Sequence, residues 1–284
     1  MDFYIILWIF LISLTINFIF FMIAFIFKTA ILTDIIYCLS FIYLSVIIVA
    51  WKQNFSPVQI SLFVLYNIWA LRLGSFLLLK IIKHKVEYRF DKIIINFWKF
   101  SIFSILQGIS VFMISIPTVF ALSLDIGYFN STFNNYLLIF IMLAILFLVI
   151  ETIADWQKFR FSLKKKHDLF FINYGLWKDC RHPNYLAEIG FWYMMTALFI
   201  CDLLFKNINS DINYLFHLLW LLSPLYFNVV VINITDIPIW EVKQWQRFHS
   251  NEDYYKYLNE TSCVMCYIGK KGPINKVKKL IYKK

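Results

Sequence analysis

The sequence predicts an all-α fold: a polytopic transmembrane helical bundle of about seven spans. Three observations predict it. Of the 284 residues, 61% are hydrophobic and only 15% are charged, whereas a soluble domain is roughly half apolar and a quarter charged. Apolar runs of about 18 residues or more recur along the chain, each long enough to cross a bilayer. The cations also segregate. With spans at 3–27, 31–51, 58–79, 100–124, 135–153, 185–205 and 213–236, 24 of the 27 Lys and Arg fall on one side. Positive residues mark the cytoplasmic face, so the amino terminus is expected outside and the carboxyl terminus in the cytoplasm.

Taken in order, the first run lacks a basic start and is too long for the apolar core of a signal peptide, so it reads as a retained span. Residues 1–57 form two N-terminal transmembrane helices with few internal polar groups and read as scaffold. Residues 58–264 carry polar groups in and between their spans and form the working domain. Within it, 241–264 is amphipathic and rich in Tyr and Trp, as expected of one or two interfacial helices. Residues 265–284 form a basic cytoplasmic tail suited to anionic lipid. The partner is the lipid bilayer. The formal net charge of +10 follows positive-inside bias and gives no reason to invoke nucleic acid. The chain is an integral, multi-pass protein, of the plasma (inner) membrane in a bacterial source or the endoplasmic reticulum in a eukaryotic one.

Several chemistries are excluded by what is missing. No G-x-G occurs, so neither a dinucleotide-binding glycine fingerprint nor a P-loop is present. The C-x-x-C at Cys263 and Cys266 lacks a second ligand pair, so no metal is expected there, and these two cysteines read as a small apolar pair on a surface segment.

Ionisable residues in or beside spans are functional candidates because burying them is unfavourable. Arg72 lies near the middle of the third span and needs an internal acid, such as Glu151 or Glu188, or a ligand. Glu87 and Arg89 stand at that span's cytoplasmic exit. In "ETIADWQKFRFSLKKKH", Glu151 and Asp155 are four apart and share a helical face with Lys158. Cations follow, so acids could accept from ribose or amide groups while cations neutralise phosphate. In "GLWKDCRHPNYLAE", Pro183 suits a first helical turn. Around it cluster Arg181, His182, Asn184, Tyr185 and Glu188, at a helix start that reads as an anion site. Near the end, Asn228, Asn233 and Asp236 close the last span, and Tyr254, Tyr255 and Tyr257 follow.

These groups, in this order, resemble DUF1295, a membrane family related to steroid 5-alpha reductase and the sterol reductases. "GLWKDCRHPNYLAE" is similar to the pattern G-x-W-x-x-S-R-H-P-N-Y-F-G-E. "ADWQKFRF" resembles A-D-x-Q-x-x-x-F, "WALRLGSFLL" with "EYRF" resembles the upstream arginine elements, and "DIPIWE…YYKYLNETS" resembles the closing element. The resemblance covers about residues 60 to 270. It implies a membrane-embedded reductase of a carbon–carbon double bond in a hydrophobic lipid or steroid-like substrate, using NADPH. Carried over, Asp155, Lys158, Arg181, His182, Asn184 and Tyr185 hold the cofactor, with Tyr254 or Tyr255 closing over it. Tyr185, Glu188 and Glu87 are the candidate acids. Ser162 stands where the pattern has Arg, which leaves Arg160, Lys164 or Lys165 for the phosphate and NADPH or NADH as the cofactor. Cys180, Ala187 and Asp236 replace Ser, Gly and Gly. Two other expectations stand beside this one. One is an S-adenosylmethionine-dependent methyltransferase of the isoprenylcysteine or phospholipid type, in which Glu241 and "YYKY" serve. The other is a non-catalytic membrane protein of the same fold.

Overall fold

The computed structural model describes residues 2–27, 31–52, 54–84, 96–129, 134–163, 170–206 and 219–264. Ten α-helices are described. They are α1 (Asp2–Ile26), α2 (Ile31–Trp51), α3 (Pro57–His84), α4 (Phe97–Ser123), α5 (Asn135–Ser162), α6 (Leu176–Asp179), α7 (Pro183–Lys206), α8 (Leu222–Val229), α9 (Asp236–Phe248) and α10 (Glu252–Glu260). Among the described residues there is no strand, only one isolated parallel bridge between Cys180 and Ser262. Six helical stretches are long and apolar enough to cross a membrane: Leu7–Ile26, Pro57–Lys83, Phe97–Ser123, Asn135–Ser162, Pro183–Leu204 and Leu219–Phe248. A seventh apolar helix, Ile35–Trp51, is shorter. The protein is an all-α polytopic bundle.

The chain divides into two compact units. The first comprises Met1–Ala144 and Trp192–Pro224, the second Ile145–Phe191 and Leu225–Lys284. In the first unit α1 packs on α2 and α4, α2 packs on α3 and α4, and α3 packs on α4. Apolar burial alone does not choose between helix faces when lipid is as apolar as the core, so small residues and polar stitches set the register. Gly108 supplies a close approach, since a Cβ there would lie 3.1 Å from the Leu14 side chain. The Ser13 hydroxyl donates to the Gly108 carbonyl at 2.8 Å, and the Ser104 hydroxyl donates to the Asn17 carbonyl at 3.0 Å. Tyr66 donates to Ser115 at 2.6 Å, and the Gln59 amide donates to the Ala121 and Leu124 carbonyls at 2.9 Å each. The Asn17 amide donates to the Ser40 hydroxyl at 3.4 Å and the Ser45 hydroxyl to Asn67 Oδ1 at 3.1 Å, so helices α1 and α2 carry more internal polar contacts than their composition suggests. Phe41, Tyr66, Trp69 and Trp192 form a buried aromatic cluster beside these stitches. Arg72 is half-buried in α3.

The second unit carries the polar motifs. Helix α5 runs nine residues beyond its predicted apolar end, because nothing from Ala154 to Ser162 breaks a helix. The last span is not one regular helix. After α8 the backbone winds into a π-turn over Val230–Ile234, and Thr235 breaks it at φ −106°, ψ −92° before α9 starts. Pro238 sits in the first turn of α9, where its missing N–H has no intrahelical partner to lose. The segment read as interfacial forms two helices, α9 and α10. The N-cap of α10 is Asn251, whose side chain accepts from Tyr254 N at 3.1 Å.

Candidate functional site

The site is built from four pieces of the second unit: the end of α5, the segment 170–182 with the start of α7, helix α9, and α10 with its exit to Val264. Helix α6 is pinned to α5. The Trp177 indole donates to the Ala154 carbonyl at 3.0 Å, and Gln157 accepts from Leu176 N at 3.1 Å. Gly175 makes the turn possible. Its φ of +60° disfavours a side chain, and the Gln157 amide lies 2.5 Å from where a Cβ would stand. The exit from α10 is then strapped alongside residues 178–181. Arg181 N donates to the Ser262 carbonyl at 3.0 Å, the Thr261 hydroxyl donates to the Lys178 carbonyl at 3.2 Å, and the Cys180 thiol donates to the Val264 carbonyl at 3.0 Å. The Tyr257 hydroxyl adds a 2.6 Å bond to the Trp177 carbonyl.

At the centre is a buried ionic cluster. The Arg181 guanidinium donates from Nε and one terminal nitrogen to the two Glu241 oxygens, at 3.1 and 3.2 Å. Its other terminal nitrogen donates to the Leu258 and Thr261 carbonyls at 2.9 Å each. His182 Nε2 lies 2.8 Å from Glu241 Oε1. All three residues are about 4% exposed, so the charges are compensated within the protein rather than by water. Burial alone would lower the Arg181 pKa, but the Glu241 charge overrides it and raises it. Burial lowers the His182 pKa. Contact with Glu241 pulls the other way, and the charges of Lys158 and Arg181 add to the lowering. Burial, with the Glu241 charge next, pushes the Cys263 thiol up to about 11. The same two causes raise Tyr254, which packs against Phe171 and Phe248.

Around this cluster the structure sorts the predicted residues. Asp155 and Glu151 are buried on one face of α5, and Glu188 and Asn184 are buried on α7. The Lys158 ammonium lies over two indoles, 4.2 Å from the Trp240 ring centroid and 5.0 Å from that of Trp177. The Tyr185 hydroxyl donates to Asp236 Oδ1 at 3.2 Å, and Thr235 donates to Asp236 Oδ2 at 2.8 Å. Tyr254 faces inward while Tyr255 is exposed, as is Arg160. Glu87, Arg89, Lys164 and Lys165 lie outside the described residues, as does the tail 265–284. Two atoms in the motif are buried with no hydrogen-bond partner among the described residues: His182 Nδ1 and Asn184 Oδ1.

Two features escape sequence reading. The sequence singles out Glu241 only for the methyltransferase alternative, and its pairing with Arg181, sixty positions away, and with His182 is not foreseen there. Cys263, expected on a surface segment, is buried, because the strap folds it against the ionic cluster. His182, Glu241 and Cys263 bring one ligand atom each within 4.8 Å of one another, a spacing that a divalent cation could bridge. Arg181 already donates to both Glu241 oxygens, and its charge beside them opposes a second cation.

Fold and site together define a polytopic helical membrane protein with a buried polar cluster at the head of α7. A family model described as "Protein of unknown function (DUF1295)" matches residues 20–261, and the chain belongs to that family. No curated protein and no solved structure matches it.

Proposed function

We propose that the protein is a membrane-embedded NAD(P)H-dependent reductase of a carbon–carbon double bond in a lipid or steroid-like substrate. The observation that carries the reading is the pair of buried, unpartnered acceptors, His182 Nδ1 and Asn184 Oδ1, at the start of α7. Buried polar atoms are normally satisfied, and these two fit a ligand bearing hydroxyl and amide donors, as a nicotinamide riboside does. Lys158, held over Trp177 and Trp240 on the same unit, provides a fixed cation for a phosphate. When bound, reduced nicotinamide supplies the hydride and leaves oxidised.

The chain's own residues then have two tasks. Asn184 and His182 orient the cofactor, and an acid delivers a proton to the carbon next to the one that accepts hydride. Glu188, buried one turn after Asn184, is the better placed donor. A phenolate left at Tyr185 would stand against the Asp236 carboxylate 3.2 Å away. Tyr185 therefore serves by positioning Asp236 and the π-turn.

The test is thermal stabilisation of the detergent-purified full chain by NADPH, NADH and S-adenosylmethionine side by side. A ligand that binds only the folded state at about a hundred times its Kd stabilises by about 2.7 kcal/mol. NADPH or NADH is expected to raise the midpoint, and Asn184→Ala is expected to abolish the rise. Stabilisation by S-adenosylmethionine alone refutes the reductase and favours a methyltransferase. No stabilisation by any of the three favours a non-catalytic protein.

A further inference from the structure

We infer that Glu241, held by Arg181, is a positioning residue that fixes His182 with its proton on Nε2, so that Nδ1 accepts a hydrogen bond from a hydroxyl or amide donor of the bound ligand. The head of α7 would then read the donor-bearing part of the ligand, and not its phosphate. This deepens the proposed function and rests on it for the identity of the ligand.

The argument is one of counting protons. A neutral imidazole has one N–H and one lone pair. Glu241 is paired with the guanidinium and can only accept, so the hydrogen in the 2.8 Å contact must belong to His182 Nε2. Nδ1 is therefore bare. A second proton on Nδ1 would create a buried donor with no acceptor among the described residues, in the field of Arg181 and Lys158. The ring cannot easily swing away, because it is buried and its Nε2 is held 2.8 Å from Glu241 Oε1.

Arg181 is spent on the lock. Four of its N–H groups go to Glu241 and to two carbonyls, so it has little left for a phosphate. A helix start beside a basic loop suggests an anion site. Here the unpartnered buried chemistry is opposite in sense: His182 Nδ1 and Asn184 Oδ1 are both acceptors. A phosphate or carboxylate brings only more acceptors, whereas a ribose diol or a primary amide brings donors.

Full-length protein labelled with ¹⁵N-histidine, in detergent, reports the tautomer directly, and His182→Gln assigns the resonance. The expected result is a non-protonated Nδ1 and a protonated Nε2 without ligand, with Nδ1 moving upfield on addition of NADPH. His182→Gln keeps a distal amide that can donate to Glu241 but has nothing in the place of Nδ1. It should retain the thermal midpoint and lose about tenfold or more in NADPH affinity. The double variant Arg181→Met/Glu241→Met, which removes the acceptor that faces Nε2, should leave the ring a mixture of both tautomers, which a merely structural glutamate would not do. A protonated Nδ1 in the wild type overturns the inference, as does wild-type affinity in His182→Gln. If S-adenosylmethionine shifts Nδ1 and NADPH does not, the reductase reading fails and the donor-reading role of His182 stands. If neither shifts it, that role is refuted.

Discussion

Replacing Arg181 with Met tests whether the ionic cluster holds the second unit together. The substitution keeps most of the side chain's length and removes its charge. Glu241, about 4% exposed, is left with His182 alone, and the Leu258 and Thr261 carbonyls lose their donors. Breaking a buried pair from one side costs about 3–5 kcal/mol, because the surviving charge is stranded. At about 2–4 °C per kcal/mol for a chain of this size, the midpoint should fall by about 6 °C or more. The assay is intrinsic fluorescence during heating in detergent, with Trp177, Trp240 and Trp245 in the affected unit. The double variant Arg181→Met/Glu241→Met removes both charges and should recover at least about 1 kcal/mol of the loss. A single variant within about 2 °C of wild type, or a double variant no better than the single, would refute the reasoning.

Other outcomes follow from the same contacts. Stability should depend on pH through His182. Burial keeps its folded pKa below the unfolded value of about 6.5, so the unfolded chain takes up the proton first as pH falls. Stability is therefore full at neutral pH, declines from about pH 6.5 downward, and levels once the folded pKa is passed. Glu241, Arg181 and Lys158 are the charges that set the shift, and His182→Gln should flatten the profile measured by thermal midpoint. Gly175→Ala forces a side chain into a positive-φ turn and against Gln157, and should destabilise by about 1–3 kcal/mol in the same assay. Tyr257→Phe removes the 2.6 Å bond to the Trp177 carbonyl. It should destabilise by about 1 kcal/mol and alter the fluorescence of the native state.

Hydropathy finds the spans because it reports the medium around a helix, but it is silent on where the helix ends. Helix α5 leaves the apolar stretch near 153 and continues to Ser162. The π-turn at Val230–Ile234 is invisible to it, since a π-turn and an α-turn there have the same composition. The motif around Arg181 is legible as a candidate site because five different hydrogen-bonding side chains in eight residues are hard to explain by packing. Its internal division of labour is not legible. That Arg181 is bound to Glu241 while His182 and Asn184 keep bare acceptors depends on contacts across about sixty residues. Cys263 misleads for the same reason, since a strap formed by backbone pairing leaves no periodic signature.

That strap also bears on the order of assembly. Residues 178–182 emerge during synthesis well before α9 and the segment through Val264 that neutralise and clamp them. Until then Arg181 lacks the Glu241 carboxylate it pairs with in the finished chain, and residues 178–181 lack the segment strapped alongside them. The head of α7 therefore takes its final form only after the chain has been made through Val264.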